Sequence, residues 1–316
     1  MMKKHLKFLL AVLLLAVAPA GFCLEFLYMT DLHFYQDKVP EAGFRKLAAR
    51  ILGIGAGDFL ITGGDYDNFP EAEAAVSHYL LEPLARQGRT YAWYVVVGNH
   101  EPEGNANEKQ RNCDGSGRNI RRIIARNSAV PGIVNRGPQS RSGLAEYQPD
   151  RAGCTTFSFD YEQCHFIILD LYSAQTPEQS WQGQVDQALL EWVREDLRRT
   201  GQKYIFVFAH EPLKQFDGIK RWQEGARSCG EINCAAGESN ALWECLKADD
   251  RVVAYVCGHT HSFGVLPAGR LYQLGIGEAL IEHEMFVKFI IEGDDITARI
   301  YRTEDAGEVI TDCKLR

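Results

Sequence analysis

Five short clusters of metal-ligating and hydrogen-bonding residue types punctuate this sequence, each at the end of an apolar run. Asp31-Leu32-His33 follows Glu25–Thr30, and Gly64-Asp65 follows Phe59–Thr62. Gly98-Asn99-His100-Glu101 follows Tyr91–Val97, His210 follows Tyr204–Ala209, and Gly258-His259-Thr260-His261 follows Val252–Cys257. Imidazole and carboxylate donors together suit zinc, iron or manganese. His259 and His261 alternate, so on an extended segment they share a face. Taken singly, each residue also has an ordinary structural use. Asp31 and Asp65 could cap helices, Asn99 beside a glycine could shape a turn, and His210 could be a satisfied core histidine.

The elements that must position these clusters follow a regular alternation. Glu25–Thr30 reads as a strand, and Glu41–Ile54 carries apolar residues at helical spacing. Phe59–Thr62 is a strand stopped by Gly63-Gly64, Glu71–Gln87 a helix, and Tyr91–Val97 a strand stopped by Gly98. This order predicts a parallel sheet with helices packed on it. Residues 101–153, rich in Gly, Asn, Arg and Pro, interrupt it as a long insertion with one helix-like patch near Arg118–Arg126. Thr155–Tyr161 and His165–Leu169 then predict a hairpin, Gln182–Thr200 an amphipathic helix and Tyr204–Ala209 a buried strand. After a second irregular stretch over 211–240, Ala241–Asp249 reads as a short helix and Val252–Cys257 as a strand. The tail from Leu271 to Tyr301 reads as several antiparallel strands. In an open α/β sheet, ligands sit beyond the carboxyl ends of the strands. The clusters can therefore converge on one point.

The series D-x-H, G-D, G-N-H-E, a lone H and G-H-x-H, in this order from residue 31 to 261, resembles the calcineurin-like metallophosphoesterase family. The resemblance implies an α/β fold in a single domain: a four-layer α/β/β/α sandwich of two mixed sheets. It implies Asp31, His33 and His261 on one metal ion, Asn99, His210 and His259 on a second, and Asp65 bridging both. The ions would be divalent or trivalent manganese, iron or zinc, about 3.5–4 Å apart, and would lower the pKa of a bound water towards about 7. That hydroxide would attack phosphorus in line. His100 binds no metal in this scheme; it protonates the leaving oxygen or stabilises its charge. Purple acid phosphatases carry a tyrosine three residues after the bridging Asp, where this chain has Asn68, so tyrosine-bound ferric iron is not expected. Many relatives carry Asp or Glu there, which leaves support of the ligands at that position open. Only 55 residues follow His261, too few for a second, substrate-gripping domain. The implied reaction is hydrolysis of phosphate esters. A phosphodiesterase acting on cyclic nucleotides or lipid head groups is one alternative, and a non-catalytic binding protein on the same fold is another.

Composition narrows the partners. Lys3, Lys4 and Lys7 precede the apolar run Phe8–Ala18, and Ala18-Pro19-Ala20 fits the small-x-small rule of signal-peptide cleavage. The run falls short of the roughly 20 residues that span a bilayer. The expectation is a signal peptide over residues 1–20, a mature domain over 21–316 and a periplasmic or secreted protein. An uncleaved anchor and a lipoprotein at Cys23 are the alternatives, the latter disfavoured by the bulky Phe22. Loss of three lysines takes the formal charge from -8 to -11, which disfavours broad nucleic-acid binding. A small phosphorylated substrate is expected, with no membrane span after cleavage. Nine cysteines include no C-x-x-C pair, which argues against a zinc ribbon. Cys113, Cys154, Cys229 and Cys234 lie in polar stretches and are bridge candidates. Cys164 and Cys257 lie in apolar runs and are expected as buried thiols. The insertion runs against the overall charge, with nine Lys or Arg against six Asp or Glu. Arg118, Arg121 and Arg122 share a helix face. That face either overhangs the metals and grips an anionic part of the substrate, or is a solvated face paired with acidic neighbours. Tyr35, Tyr66, Trp181 and Trp222 could line a pocket or serve in surface and core packing.

Overall fold

The computed structural model describes residues 22–34, 40–102, 118–138, 155–173, 183–214, 216, 238–280, 285–303 and 309–316. The leader, the four bridge candidates, Tyr35, Trp181 and Trp222 lie outside them. No helix among the described residues is long and apolar enough to cross a membrane.

β1 (Cys23–Met29), β2 (Phe59–Thr62) and β3 (Ala92–Val95) run parallel, as the alternation of elements predicts. α1 (Pro40–Ile54) joins the first pair. Between the second pair, α2 (Phe69–Val76) passes through one π turn at Ser77–Leu81 into α3 (Glu82–Arg86), where one regular helix was expected. Pro83 supplies the reason: its nitrogen cannot donate to the carbonyl four residues back, so the ladder shifts there. β11 (Met285–Glu292), β12 (Asp295–Arg302) and β13 (Val309–Lys314) add antiparallel on the other side of β1. The resulting six-stranded sheet has the order β13-β12-β11-β1-β2-β3.

The seven-stranded second sheet has the order β4-β5-β6-β7-β8-β10-β9. Its strands are β4 (Ile133–Arg136), β5 (Phe157–Tyr161), β6 (Cys164–Ile168), β7 (Tyr204–Phe208), β8 (Val252–Cys257), β9 (Gly264–Ala268) and β10 (Leu271–Gly275). The tail expectation needs correcting here. β10 lies parallel to β8 in this sheet, apart from β11 and β12, and β13 extends beyond Tyr301. Strand pairing is settled by distant partners, which a local run of apolar residues does not encode.

Period-two alternation builds the interior. Leu24, Phe26 and Tyr28 of β1 face the seam between the sheets, whereas Leu27 and Met29 face the helices. Phe26 stacks on Phe59 and Phe289 with ring centres 5.1 and 4.6 Å away. It meets Phe166 and Phe206 of the other sheet edge-on at 5.2 and 5.5 Å. The outer faces are covered by α1 to α3 with α4 (Arg118–Ala129) on one side, and by α5 (Gln187–Arg199) with α6 (Glu238–Ala248) on the other. This is the expected four-layer sandwich. Cys164 and Cys257 are buried free thiols, and Tyr66 is a core residue whose hydroxyl bonds Thr62 Oγ1 at 2.6 Å.

The described parts of the insertion are built into this frame. β4 is an edge strand of the second sheet, and α4 covers the edge of the first. Asn127 Oδ1 accepts from Val95 N at 3.2 Å, and its Nδ2 donates to Val95 O at 2.9 Å. One side-chain amide thus substitutes for a neighbouring strand beside β3.

Candidate metal centre

Three loops at the carboxyl ends of β1, β2 and β8 share one backbone device. Each places two residues, one apart, in the left-handed region: Asp31 and His33 (φ 54° and 45°), Asp65 and Asp67 (54° and 59°), His259 and His261 (66° and 53°). Asp, Asn and His are the side chains that accept this conformation most readily after glycine. Among the other described non-glycine residues, only Glu162 has a positive φ. The loops are fastened to each other. Asp31 N donates to Gly64 O at 3.1 Å, His33 N to Asp65 O at 3.0 Å, and His259 N to Asp31 Oδ2 at 3.1 Å. Gly64, at φ 99°, lies so close to the β3 loop that a Cβ there would come within 2.7 Å of the Gly98 backbone. Glu101 closes the joint from beneath. It is fully buried and accepts from Gly98 N at 2.6 Å, Tyr66 N at 2.7 Å and Asp65 N at 3.0 Å. Burial, together with the neighbouring Asp65 carboxylate, pushes its carboxyl up to about 8.

This framework brings all seven expected ligands together. Asp31, His33, Asp65 and His261 present donor atoms within 4.8 Å of one another, and so do Asp65, His210 and His259. The first set faces inward through His33 Nε2 and His261 Nε2, 3.0 Å apart, with Asp31 Oδ1 3.3 Å from the latter. In the second set, Asn99 Oδ1 lies 3.1 Å from His210 Nε2 and 3.0 Å from His259 Nδ1. Asp65 Oδ2 is 3.2 Å from His210 Nε2. The fit to a metal follows from these spacings: two bonds of about 2.1 Å meeting near a right angle leave their donor atoms about 3 Å apart. Mixed imidazole and carboxylate sets of this kind hold transition metals. Asp65 belongs to both sets, so the donor chemistry fits a dimetal centre.

The charges around these donors are mutually dependent. Burial disfavours a charged imidazole at His210 and His261, yet Asp65 and Asp31 hold the first up to about 10, and Asp31 and Glu278 hold the second up to about 10. Burial likewise opposes charge on Asp65, but His100 and His210 keep its carboxyl well below the ordinary range. His259 is pushed down by burial. Protons on His210 and His261 therefore balance the carboxylates, and a cation entering the site would displace them.

His100 stands at the mouth, with its side chain 19% exposed and its Nε2 3.7 Å from Asp65 Oδ2. Its Nδ1 lies 2.6 Å from Asp67 Oδ1, and the other oxygen of the same carboxylate lies 2.6 Å from His33 Nδ1. Asp67 thus orients one expected ligand and the expected proton donor at once. The support left open at Asn68 comes from the residue before it. Asn68 itself is buried at the N-cap of α2. Asn119, at the start of α4, holds this turn by donating to Asp67 O at 2.8 Å and accepting from Phe69 N at 3.0 Å.

Sequence reasoning missed three carboxylates, Asp67, Glu278 behind His261, and Glu211, and gave no role to a fourth, Glu101 of the G-N-H-E motif. Glu211 accepts from Tyr172 Oη at 2.5 Å and from Gly183 N at 2.7 Å. The arginines of α4 fall as follows. Arg122 pairs with Glu73, and so does Arg126, whose guanidinium also covers the Trp93 ring at 4.4 Å. Arg122 thereby takes the paired-face alternative. Arg121 is exposed, and the side chain of Arg118 lies outside the described residues.

A sequence profile of calcineurin-like phosphoesterases matches residues 24–263. No curated protein matches the sequence. Among solved structures, a dimetal phosphatase from Danio rerio is similar with a TM-score of 0.58 at 12% identity, over 92% of this chain and 98% of that one. The purple acid phosphatase PPD1 from yellow lupin (Lupinus luteus) gives 0.59 at 13% identity, over 93% of this chain and 54% of that one. GAP50, the anchor in the inner membrane complex of Plasmodium, gives 0.54 at 13% identity, over 92% and 88%. At these identities the likeness bears on the fold.

Proposed function

This chain belongs to the calcineurin-like phosphoesterase family, and on that premise we propose that it hydrolyses small phosphate esters at a two-metal centre with His100 as the proton donor. The observation that carries the reading is the Asp65 carboxylate, shared by both donor sets and 3.7 Å from His100 Nε2. Asp31, His33 and His261, and Asn99, His210 and His259, each set together with Asp65, would hold two cations, which would supply Lewis-acid polarisation and an acidified water. Manganese, iron and zinc suit these donors. The chain's own residues do the rest. Asp67 fixes the His100 ring through Nδ1, which leaves Nε2 facing Asp65 as the nitrogen that would pass a proton to the leaving oxygen. Arg118 and Arg121 are retained as proposed contacts for an anionic part of the substrate, because α4 begins beside the Asp67 turn. Replacing both by Ala should raise KM for an anionic substrate and leave a small, weakly charged ester unaffected; equal KM values would remove them.

Metal analysis of protein from its native host, paired with monoester and diester panels, tests the reading. Hydrolysis of diesters alone would make the chain a phosphodiesterase on cyclic nucleotides or lipid head groups. Absence of both metal and hydrolysis would leave a non-catalytic binding protein on the same fold. Export is proposed on the leader pattern Lys3, Lys4, Lys7 and Ala18-Pro19-Ala20. A periplasmic or secreted mature protein beginning near Gly21 follows, and membrane-bound protein beginning at Met1 would contradict it.

A further inference from the structure

The expected metal-binding histidines differ in what stands behind them. Behind His33 is the Asp67 carboxylate, 2.6 Å from Nδ1, and behind His261 is the Glu278 carboxylate, 3.0 Å from Nδ1. Behind His210, among the described residues, is the carbonyl of Gly63, 2.8 Å from Nδ1. His259 turns its own Nδ1 inward, toward Asn99. In one half both imidazoles are therefore hydrogen-bonded from behind by buried carboxylates; in the other, His210 is backed by a neutral carbonyl, and the Glu211 carboxylate acts on His259 through its charge.

Glu278 belongs to none of the motifs. It lies on the loop between β10 and β11 and is 1% exposed. The loop is tied to three strand ends: Ile276 N donates to Cys257 O at 2.9 Å, Ala279 N to Thr30 O at 3.1 Å, and Met285 N to Glu278 O at 3.1 Å. Its carboxylate is thus held in place from β8, β1 and β11 together. A carboxylate behind a ligating imidazole fixes the tautomer and ring orientation and makes the other nitrogen a stronger donor. Its charge also adds to that of Asp31 and Asp65 on the same side.

We propose that Glu278 is a positioning residue for His261 that, with Asp67, makes the Asp31–His33–Asp65–His261 set the tighter half, so that the centre fills in a fixed order. The inference rests on the two-metal reading given above. The test is a calorimetric titration of the metal-stripped full chain with Zn(II), repeated on Glu278→Gln, which keeps the side chain's size and hydrogen-bonding capacity but removes its charge. The wild-type chain should show a tight and a weak class of one ion each. Glu278→Gln should weaken the tight class by about 10–100-fold and leave the weak class in place. Glu278→Asp, which keeps the charge, should recover part of that loss. His261→Ala should abolish the tight class and His210→Ala the weak one, a pair of results that does not depend on how the Glu278 variants fold. Two equal classes in the wild type, an unchanged tight class in Glu278→Gln, or the reverse assignment from the histidine variants would overturn the inference. A wild-type chain that binds no zinc would overturn the two-metal reading itself.

Discussion

β1 and β7 each pass from one kind of environment to another within a few residues. Phe26 and Phe208 lie in the aromatic seam between the sheets, while Asp31 and His210 lie at the rim where the strands end. The seam is made of like parts. Phe26 touches several rings, any of which can adjust, and its contribution grows with buried area. The rim is made of unlike parts with assigned partners. Asp31 accepts from Thr30 Oγ1 at 2.7 Å and from His259 N, and Asp67 serves two imidazoles with its two oxygens. A buried charge that loses its partner costs several kcal/mol, where a lost methylene costs about one. Damage in the seam should therefore be graded and felt as stability. Damage at the rim should be abrupt and felt as chemistry.

The sharpest test is Asp65→Asn, which removes the carboxylate common to both donor sets. Metal content and turnover should both collapse; full values of either would dissolve the distinction at its centre. His100→Ala comes next. It should retain metal and lower turnover by about 10²–10⁴-fold, less for esters with very good leaving groups. Metal loss in this variant would place His100 among the ligands.

The pH dependence of metal binding follows in size. His210 and His261 are held up to about 10, so at neutral pH their inward nitrogens carry protons that a cation must displace. Apparent affinity should rise with pH, by about tenfold per pH unit for each proton displaced, and level off as pH approaches 10. Calorimetry in buffers of differing ionisation enthalpy should detect the released protons; a flat profile would refute the charge balance. Asp67→Asn should weaken metal binding by about 10–100-fold and also lower turnover at saturating metal, because one carboxylate serves His33 and His100. Recovery of full turnover by added metal alone would confine Asp67 to the His33 side. The seam supplies the opposite limit. Phe26→Ala should cost about 3–5 kcal/mol in chemical denaturation and leave turnover per folded molecule unchanged.

The rim ligands were legible in the sequence because each motif is local: an apolar run, a turn, then donor residue types. The strands of the seam were legible for the same reason, through runs such as Phe59–Thr62 and Val252–Cys257. The supporting carboxylates were not. Attention to the third residue after Asp65 found Asn68, but the left-handed turn at Asp67 aims the second residue at His33 and His100. The repeated spacing of Asp31/His33, Asp65/Asp67 and His259/His261 was the available signal. Glu278 had none, because it reaches His261 only after β10 joins β8, a pairing between segments that no local pattern predicts. Asn119 lies in the helix-like patch and Asn127 just beyond it, but helical spacing does not say which turn or strand their side-chain amides reach.

The left-handed residues of the rim also bear on what laboratory evolution could make of this scaffold. A new ligand at Asp31, His33, Asp65, His259 or His261 must suit the metal and also accept a positive φ. Asn, Asp, His and Gly meet the second demand most easily, whereas a β-branched residue meets strain of about 1–3 kcal/mol at each such position. Cysteine, the donor preferred by soft metals, brings no such backbone preference. Single substitutions should therefore explore oxygen and imidazole donors freely, and recruiting thiolate chemistry should require remodelling the loops first.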